Sequence, residues 1–219
     1  QRIKHNNNKT HMRTRVKICG ITRTEDALAA VSFGADAIGF VFWQQSARNI
    51  LPQQARPITK TIPAFVTTVG VYVDPTVEWV HETATIANLG LLQFHGNESP
   101  EFCDQFALPY VKALRIKEDM DLLEYANRYQ SAKALLLDTY SANLPGGTGE
   151  VFDWTLIPAN LPLPIILSGG LTPDNVVHAI AKVKPWAVDV SSGVEVSKGI
   201  KDINKISAFM QRVKNCECI

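Results

Sequence analysis

The sequence predicts an α/β fold, a single-domain (β/α)8 (TIM) barrel, from three observations. Short apolar runs alternate with helical segments along the whole chain, which is typical of a parallel sheet covered by helices. The chain has 219 residues and is 46% hydrophobic, a length that suits one barrel. Two small-residue turns follow the last two predicted strands, where barrels of this class bind phosphate. An open doubly wound sheet is the alternative, but it would not require two adjacent turns of this kind.

The first six strands are short runs of mainly apolar residues bounded by turn residues. In chain order they are predicted at Val16–Cys19, Ala37–Phe42, within Phe65–Val73, Leu91–Gln93, Val111–Leu114 and Ala134–Leu137. Thr24 is a candidate cap for the first helix, which Gly34 ends. The next helices are predicted from Pro52 to about Lys60, from Asp74 to about Ala87, from Ser99, and over Asp119–Tyr129.

The last third of the chain carries the clearest functional signal. Pro164–Leu167 and Ala187–Val190 suit buried parallel strands, and a helix capped by Thr172 is predicted between them. Ser168-Gly169-Gly170 and Ser191-Ser192-Gly193 follow the two strands as turns. Such paired turns present backbone N–H groups and hydroxyls, which together bind a phosphate dianion. We therefore predict a phosphate site between them.

Three other segments complete the predicted organisation. A long loop over 139–152 contains Gly-Gly-Thr-Gly at 146–149, and a short helix is predicted near Trp154–Ile157. A last helix is predicted over about Asp202–Val213. We expect residues 1–11 to derive from cloning and to be mobile, and the barrel to span 12–219.

Composition argues against several classes of function. The formal net charge of +1 argues against a nucleic-acid-binding surface, and the longest apolar run, Ala37–Trp43, is too short to span a membrane. The polar amino terminus does not resemble a signal peptide. Cysteines at 19, 103, 216 and 218 form no disulfide framework, so a reducing cytoplasm is expected. Cys216 and Cys218 lack a second ligand pair at zinc spacing, so no metal site is expected.

Catalytic groups of a barrel stand at the carboxyl-terminal ends of its strands, and this rule selects two residues for chemistry. Cys19 ends the first strand just before a glycine turn, and Asp138 ends the sixth. A thiolate there could act as a base or nucleophile, and a carboxyl group as a general acid or base. The structural alternatives are a small buried side chain for Cys19 and a solvated loop residue for Asp138.

Five polar residues are candidates for binding or support at the same end of the barrel. Arg48, in the loop after the second strand, could hold a carboxylate through a bidentate fork, or could be a surface charge. Gln93 and His95 share one side of the fourth strand, although a lone histidine is more often structural. Lys17 has inward parity and needs a buried partner, and Asp189 on the neighbouring eighth strand is the predicted one.

Seven motifs resemble the phosphoribosylanthranilate isomerase family of tryptophan biosynthesis, and together they cover essentially all of 15–214. They are Lys-Ile-Cys-Gly-Ile-Thr at 17–22, Gly-Phe-Val-Phe at 39–42 followed by Ser46 and Arg48, Gln-Phe-His-Gly at 93–96, Leu-Leu-Asp-Thr at 136–139, Gly-Gly-Thr-Gly at 146–149, Leu-Ser-Gly-Gly-Leu at 167–171 and Asp-Val-Ser-Ser-Gly-Val-Glu at 189–195. One departure is Trp43-Gln44, where the family more often has a tyrosine or similar residue and a proline.

The resemblance implies an Amadori rearrangement of N-(5-phosphoribosyl)anthranilate to 1-(2-carboxyphenylamino)-1-deoxyribulose 5-phosphate, without metal or organic cofactor. It implies that Cys19 is the general base, that Asp138 is the general acid, and that Arg48 grips the anthranilate carboxylate. It also implies that the phosphate lies on Gly169, Gly170, Ser192 and Gly193, and that Gln93, His95 and Asp189 contact the substrate. A monomer or a homodimer is consistent with the resemblance.

The proposed acid and base need shifted proton affinities. The chemistry would proceed near neutral pH if burial raised the pKa of the carboxyl group and a cation or helix dipole lowered the pKa of the thiol.

Two other functions are weighed against this one. The first is another phosphosugar barrel enzyme. The histidine-pathway aminoaldose isomerases use two aspartates, and Cys19 in place of an aspartate argues against them. Indole-glycerol-phosphate synthase uses lysine and glutamate, and the lack of such a set at matching strand ends argues against it. A barrel that only binds a phosphorylated metabolite is the second alternative, and the presence of both Cys19 and Asp138 argues against it.

Overall fold

The chain folds into a closed barrel of eight parallel strands in sequential order, with β1 paired to β8. The computed structural model describes residues 13–116, 120–138, 154, 157–158 and 160–216. The barrel strands are β1 Arg15–Ile18, β2 Ala37–Val41, β3 Thr67–Tyr72, β4 Leu91–Phe94, β5 Tyr110–Arg115, β6 Leu135–Asp138, β7 Ile165–Ser168 and β8 Ala187–Val190. The predicted fold class and the predicted position of every barrel strand are thereby confirmed, with ends that differ by at most two residues.

Seven helices cover the described part of the barrel. They are α1 Thr24–Ser32, α2 Pro52–Thr59, α3 Val77–Ala87, α4 Pro100–Asp104, α5 Leu122–Arg128, α6 Val176–Val183 and α7 Ile203–Asn215. Side chains of Thr76, Ser99, Asp121 and Asp202 cap four of these helices by accepting backbone N–H groups of the first turn. None of the helices in this part of the chain is long and apolar enough to cross a membrane.

Two predicted helix caps are wrong. Thr24 is the first residue of α1, and Arg23 is the N-cap without a side-chain hydrogen bond. The helix after β7 begins at Val176 rather than at Pro173, and its N-cap is Asn175. The Asn175 side chain accepts from the Thr172 amide at 2.8 Å and donates to the Gly170 carbonyl at 2.9 Å, so it holds an extra turn ahead of the helix.

A small antiparallel hairpin follows β8 and was not predicted. It consists of β9 Glu195–Ser197 and β10 Ile200–Lys201, and a single 3-10 turn, Ser192–Val194, connects it to β8. Its strands are two and three residues long and mix charged with apolar residues, so they lack a periodic pattern. The predicted loop over 139–152, residues 1–11 and Cys218 lie outside the described residues, as does part of the segment predicted as a short helix around Trp154.

Strand parity divides the apolar residues into an outer and an inner core. Val16 and Ile18 of β1 belong to the large cluster between sheet and helices. Val111, Leu136 and Ile166 belong to a smaller cluster and lie on the other face of their strands, inside the barrel. Because β1 alternates in this way, Lys17 and Cys19 face the barrel interior, as predicted.

A buried ion pair stabilises the loops that follow β3 and β4. The Lys112 ammonium lies 2.7 Å from the Glu98 carboxylate, and both side chains are only 2% exposed. Glu98 also accepts the backbone N–H groups of Asp74 and Gly96, and Lys112 donates to the Gly96 carbonyl. All charges in this cluster are therefore hydrogen-bonded, which makes the burial of two ions tolerable.

Replacing Lys112 by methionine should lower the free energy of unfolding by about 3–5 kcal/mol, because the Glu98 carboxylate would stay buried without its cation. Urea unfolding followed by circular dichroism measures the change. Lys60→Met is the matched control, since Lys60 is exposed and its replacement should change stability by less than about 0.5 kcal/mol. Equal stabilities for the two variants would contradict a structural role for the pair.

Candidate active site

The carboxyl-terminal ends of the strands enclose a pocket of about 490 Å³. All predicted site residues except Gly193 line it. The predicted residues in its wall are Cys19, Arg48, Gln93, His95, Asp138, Gly169, Gly170, Asp189 and Ser192. The fold therefore brings together groups from strands β1, β4, β6, β7 and β8, which lie far apart in the sequence.

The two turns after β7 and β8 pack directly against each other. A Cβ atom on Gly193 would lie 1.9 Å from the Leu171 carbonyl oxygen, so only glycine allows this approach. Gly169 and Gly170 have φ angles of +92° and +65°. No residue of the described chain accepts a hydrogen bond from the amides of Gly170, Ser192 or Gly193. These amides are the donors that an anion in the pocket needs.

Lys17 and Asp189 form the predicted contact inside the barrel. Their ammonium nitrogen and carboxylate oxygen are 2.9 Å apart, and both side chains are buried. The β1–β8 register places the two residues directly opposite each other. Gly39 on β2 makes room for the Lys17 side chain, since a Cβ there would lie 2.9 Å from the Cys19 Sγ and 3.1 Å from the Lys17 Nζ.

The pKa of the Cys19 thiol is raised above its ordinary value. Burial is the main cause, and the Asp189 carboxylate adds to it; the Lys17 ammonium and, more weakly, Lys201 lower the pKa but do not offset burial. The condition that a cation lowers the pKa of this thiol below its ordinary value is therefore not met, because burial outweighs the Lys17 ammonium. Lys17 still provides the positive charge that a thiolate at this position requires.

Asp138 stands across the pocket from Cys19, beside His95. The Nε2 atom of His95 lies 3.3 Å from an Asp138 carboxylate oxygen, although the two are not aligned as a hydrogen bond. The Gln93 side-chain nitrogen lies 3.4 Å from the other ring nitrogen, Nδ1. If Gln93 donates to Nδ1, the neutral ring carries its proton on Nε2 and turns an N–H toward Asp138.

Arg48 reaches the pocket in an ion pair that the sequence did not reveal. Its Nε and Nη2 atoms donate to the two carboxylate oxygens of Glu195, at 2.8 and 2.6 Å. This bidentate pair does not use Nη1 or the second N–H of Nη2. These two groups form a second pair of parallel donors on the outer edge of the guanidinium. Arg48 can therefore hold a carboxylate in the pocket while it is itself held by Glu195.

Several pocket residues were not predicted as site residues. They are Val41, Trp43, Ser46, Val71, Val73, Arg115, Leu171, Val190 and Lys198, whereas Ser168 and Ser191 belong to the two turns predicted to bind phosphate. Arg115 is the last residue of β5 and lies opposite Asp138 on β6. The rule that functional groups stand at the carboxyl-terminal ends of the strands could therefore have selected it. Among the residues that are described, no cluster of histidine, cysteine and carboxylate side chains could hold a metal ion.

Comparison with known proteins gives the same family along the whole barrel. The family model described as "N-(5'phosphoribosyl)anthranilate (PRA) isomerase" matches residues 16–212. N-(5'-phosphoribosyl)anthranilate isomerase of Nitrosospira multiformis is 65% identical over 202 residues, which cover 92% of this chain and 97% of that protein.

Solved structures agree with this assignment. The crystal structure of phosphoribosyl anthranilate isomerase from Thermotoga maritima superposes with a TM-score of 0.85 at 43% identity, covering 92% of this chain and 99% of that one. A phosphoribosyl anthranilate isomerase in complex with reduced 1-(o-carboxyphenylamino)-1-deoxyribulose 5-phosphate superposes with a TM-score of 0.82 at 41% identity and the same coverage. The chain therefore belongs to the N-(5'-phosphoribosyl)anthranilate isomerase family and is an intramolecular isomerase.

Proposed function

We propose that the pocket converts N-(5'-phosphoribosyl)anthranilate into 1-(2-carboxyphenylamino)-1-deoxyribulose 5-phosphate, with Asp138 as general acid and Cys19 as general base. The observation that carries this proposal is the placement of both groups in one pocket with the paired turns of β7 and β8. A relative 41% identical to this chain binds a reduced form of that product, which supports the choice of substrate.

The turns determine how the substrate would lie. With the phosphate on the amides of Gly170, Ser192 and Gly193, the sugar extends across the pocket between β1 and β6. The carboxylate of the aromatic ring then meets the free edge of the Arg48 guanidinium. Both charged ends of the substrate are held in this pose, so the reacting carbons are fixed between Cys19 and Asp138.

The proposed reaction moves two protons. Asp138 donates a proton to the ring oxygen as the C1–O bond breaks and the anthranilate nitrogen forms a protonated Schiff base with C1. Cys19 then removes the proton from C2, and the electron pair of the C–H bond neutralises the iminium nitrogen to give an enolamine. Tautomerisation to the ketone completes the rearrangement.

The protonated Schiff base offers a reason why a buried thiol can act as the base. Burial raises the pKa of the Cys19 thiol, and a cationic intermediate beside it would favour the thiolate. Together with the Lys17 ammonium, this cation would support proton removal at the step where a base is needed. Because the enolamine nitrogen is neutral, the electrostatic stabilisation of the Cys19 thiolate is greatest before the proton moves.

Complementation separates this function from the alternatives. Expression of the chain should restore growth without tryptophan to a bacterial strain that lacks this isomerase step. A histidine auxotroph lacking the aminoaldose isomerase should stay dependent on histidine. Growth of neither strain, with the folded protein present, would favour a barrel that only binds a phosphorylated metabolite.

Cys19→Ser and Asp138→Asn should each lower kcat by at least about 10²-fold, because each removes one proton-transfer group. KM should change less, since the phosphate and carboxylate contacts remain. Steady-state kinetics measure both constants, and circular dichroism checks that the variants are folded. Turnover near that of the unmodified protein in Cys19→Ser would remove Cys19 from the mechanism.

Cys19 should react slowly with iodoacetamide near pH 7 and faster as the pH rises, because only the thiolate reacts and burial raises the pKa of this thiol. Lys17→Met should move this rise to still higher pH, since the Lys17 ammonium lowers the same pKa. Mass spectrometry of the Cys19 peptide follows the reaction, with the half-buried Cys216 as an internal comparison. A pH-independent rate for Cys19 would contradict the raised pKa.

Inorganic phosphate should inhibit competitively, with an inhibition constant in roughly the millimolar range because the ion is small. The reason is that it would occupy the amides of the two turns and displace the substrate phosphate. Initial rates at varied substrate and phosphate concentrations give the constant, with sodium chloride at equal ionic strength as the control. Inhibition that higher substrate concentrations do not relieve would place phosphate elsewhere.

A further inference from the structure

The β9–β10 hairpin carries a buried carboxylate that contacts two cations at the rim of the pocket. Glu195 is 7% exposed. Its carboxylate accepts from Arg48 Nε and Nη2, and from the Lys201 ammonium at 2.9 Å. The Gly199 amide donates to the same carboxylate at 3.3 Å. Four donors thus converge on one side chain that itself does not line the pocket.

Arg48 needs such a partner because little else fixes its long side chain. Its side chain is 23% exposed and starts from a loop rather than from a strand. On one side it passes Gly20, where a Cβ would lie 2.6 Å from the Arg48 Cδ. Gly20 thus provides a slot for the hydrocarbon part of Arg48, and Glu195 fixes the guanidinium at its end.

Lys201 connects the same carboxylate to the turn after β8. Its ammonium, which is buried, also donates to the Ser191 carbonyl at 3.1 Å. The Ser191 hydroxyl in turn donates to the Cys19 carbonyl at 3.1 Å. Although burial raises the pKa of Glu195, the hydrogen bonds and charges of Arg48 and Lys201 outweigh burial and lower it. Glu195 is therefore a carboxylate throughout the neutral range.

We propose that Glu195 is a positioning residue, which turns the outer edge of the Arg48 guanidinium toward the carboxylate of the substrate's aromatic ring. This inference rests on the proposed function, in which Arg48 binds that carboxylate. Glu195 occupies the Nε side of the guanidinium and leaves the Nη1–Nη2 edge for the substrate. Lys201 donates to the same carboxylate and so helps to fix Glu195 in the position from which it contacts Arg48.

Glu195→Gln is the central test, because glutamine keeps the shape and removes the charge. The variant should raise KM by roughly 10- to 100-fold, since a misdirected guanidinium no longer meets the substrate carboxylate. The inhibition constant of inorganic phosphate should change by less than about threefold, because phosphate does not use Arg48. Glu82→Gln, an exposed residue of α3, is the matched control and should leave both constants unchanged.

A double-variant comparison separates positioning from general support of the fold. If Glu195 acts through Arg48, then adding Glu195→Gln to Arg48→Met should not raise KM further. The same increase of KM in both backgrounds would overturn the proposal. Glu195→Asp keeps the charge on a shorter side chain and should recover part of the lost affinity. Glu195→Asp also replaces Glu195→Gln as the test variant if Glu195→Gln does not fold.

The order of Arg48 can be measured without turnover. In a ¹H–¹⁵N spectrum, the Arg48 Nε–H should give a resolved signal that exchanges slowly, assigned as the arginine signal missing in Arg48→Met. Glu195→Gln should broaden it or remove it. Loss of this signal without a change in KM would leave Glu195 as the anchor of Arg48 and argue against the proposed substrate contact. An unchanged signal would overturn the positioning role itself.

Discussion

Closure of the barrel between β1 and β8 is the constraint on which the site depends. In the parallel register Lys17 lies opposite Asp189, and the two charges meet inside the barrel at 2.9 Å. Closure also brings the Cys19 amide to within 2.9 Å of the Val190 carbonyl. The thiol, its neighbouring cation and the turn after β8 therefore form one unit built from the two ends of the chain.

The crowding that follows from closure explains the glycines around the site. Gly39, Gly20 and Gly193 each face an atom that a Cβ would approach to within 3 Å, namely the Cys19 sulfur, the Arg48 side chain and the Leu171 carbonyl. In each case the missing side chain makes room for a group of the pocket wall. Gly39 and Gly193 act by volume, and Gly20 combines a close approach with a φ angle of +74°, whereas Gly170 has open space around its Cα and a φ angle of +65°.

The sequence predicted those features that depend on local pattern and strand parity. Strand β8 was placed at its observed ends, and strand parity together with the expected closure of the barrel paired Lys17 with Asp189. The predicted cap of α6 was wrong because the Asn175 side chain accepts a hydrogen bond from the Thr172 backbone amide. Helix-cap propensity alone does not decide between Thr172 and Asn175 as the cap. The role of Glu195 was not predicted, and the residue entered only as the last position of a sequence motif. Its contacts with Arg48 and Lys201 are tertiary contacts that no local pattern indicates.

The balance of charge in the pocket is compatible with the proposed substrate, which carries a phosphate and a carboxylate, and with Cys19 as the proposed base. Lys17, Arg48 and Lys201 stand on the β1 side of the pocket, against the two carboxylates of Asp189 and Glu195. The formal charges of these five side chains sum to +1, and Lys198 adds a further positive charge to the pocket wall, which favours a bound anion. Asp138 lies on the opposite side, beside His95. In the proposed reaction this separation would allow Asp138 to give up a proton while Cys19 accepts one, because Lys17, Arg48 and Lys201 stand on the other side of the pocket from Asp138.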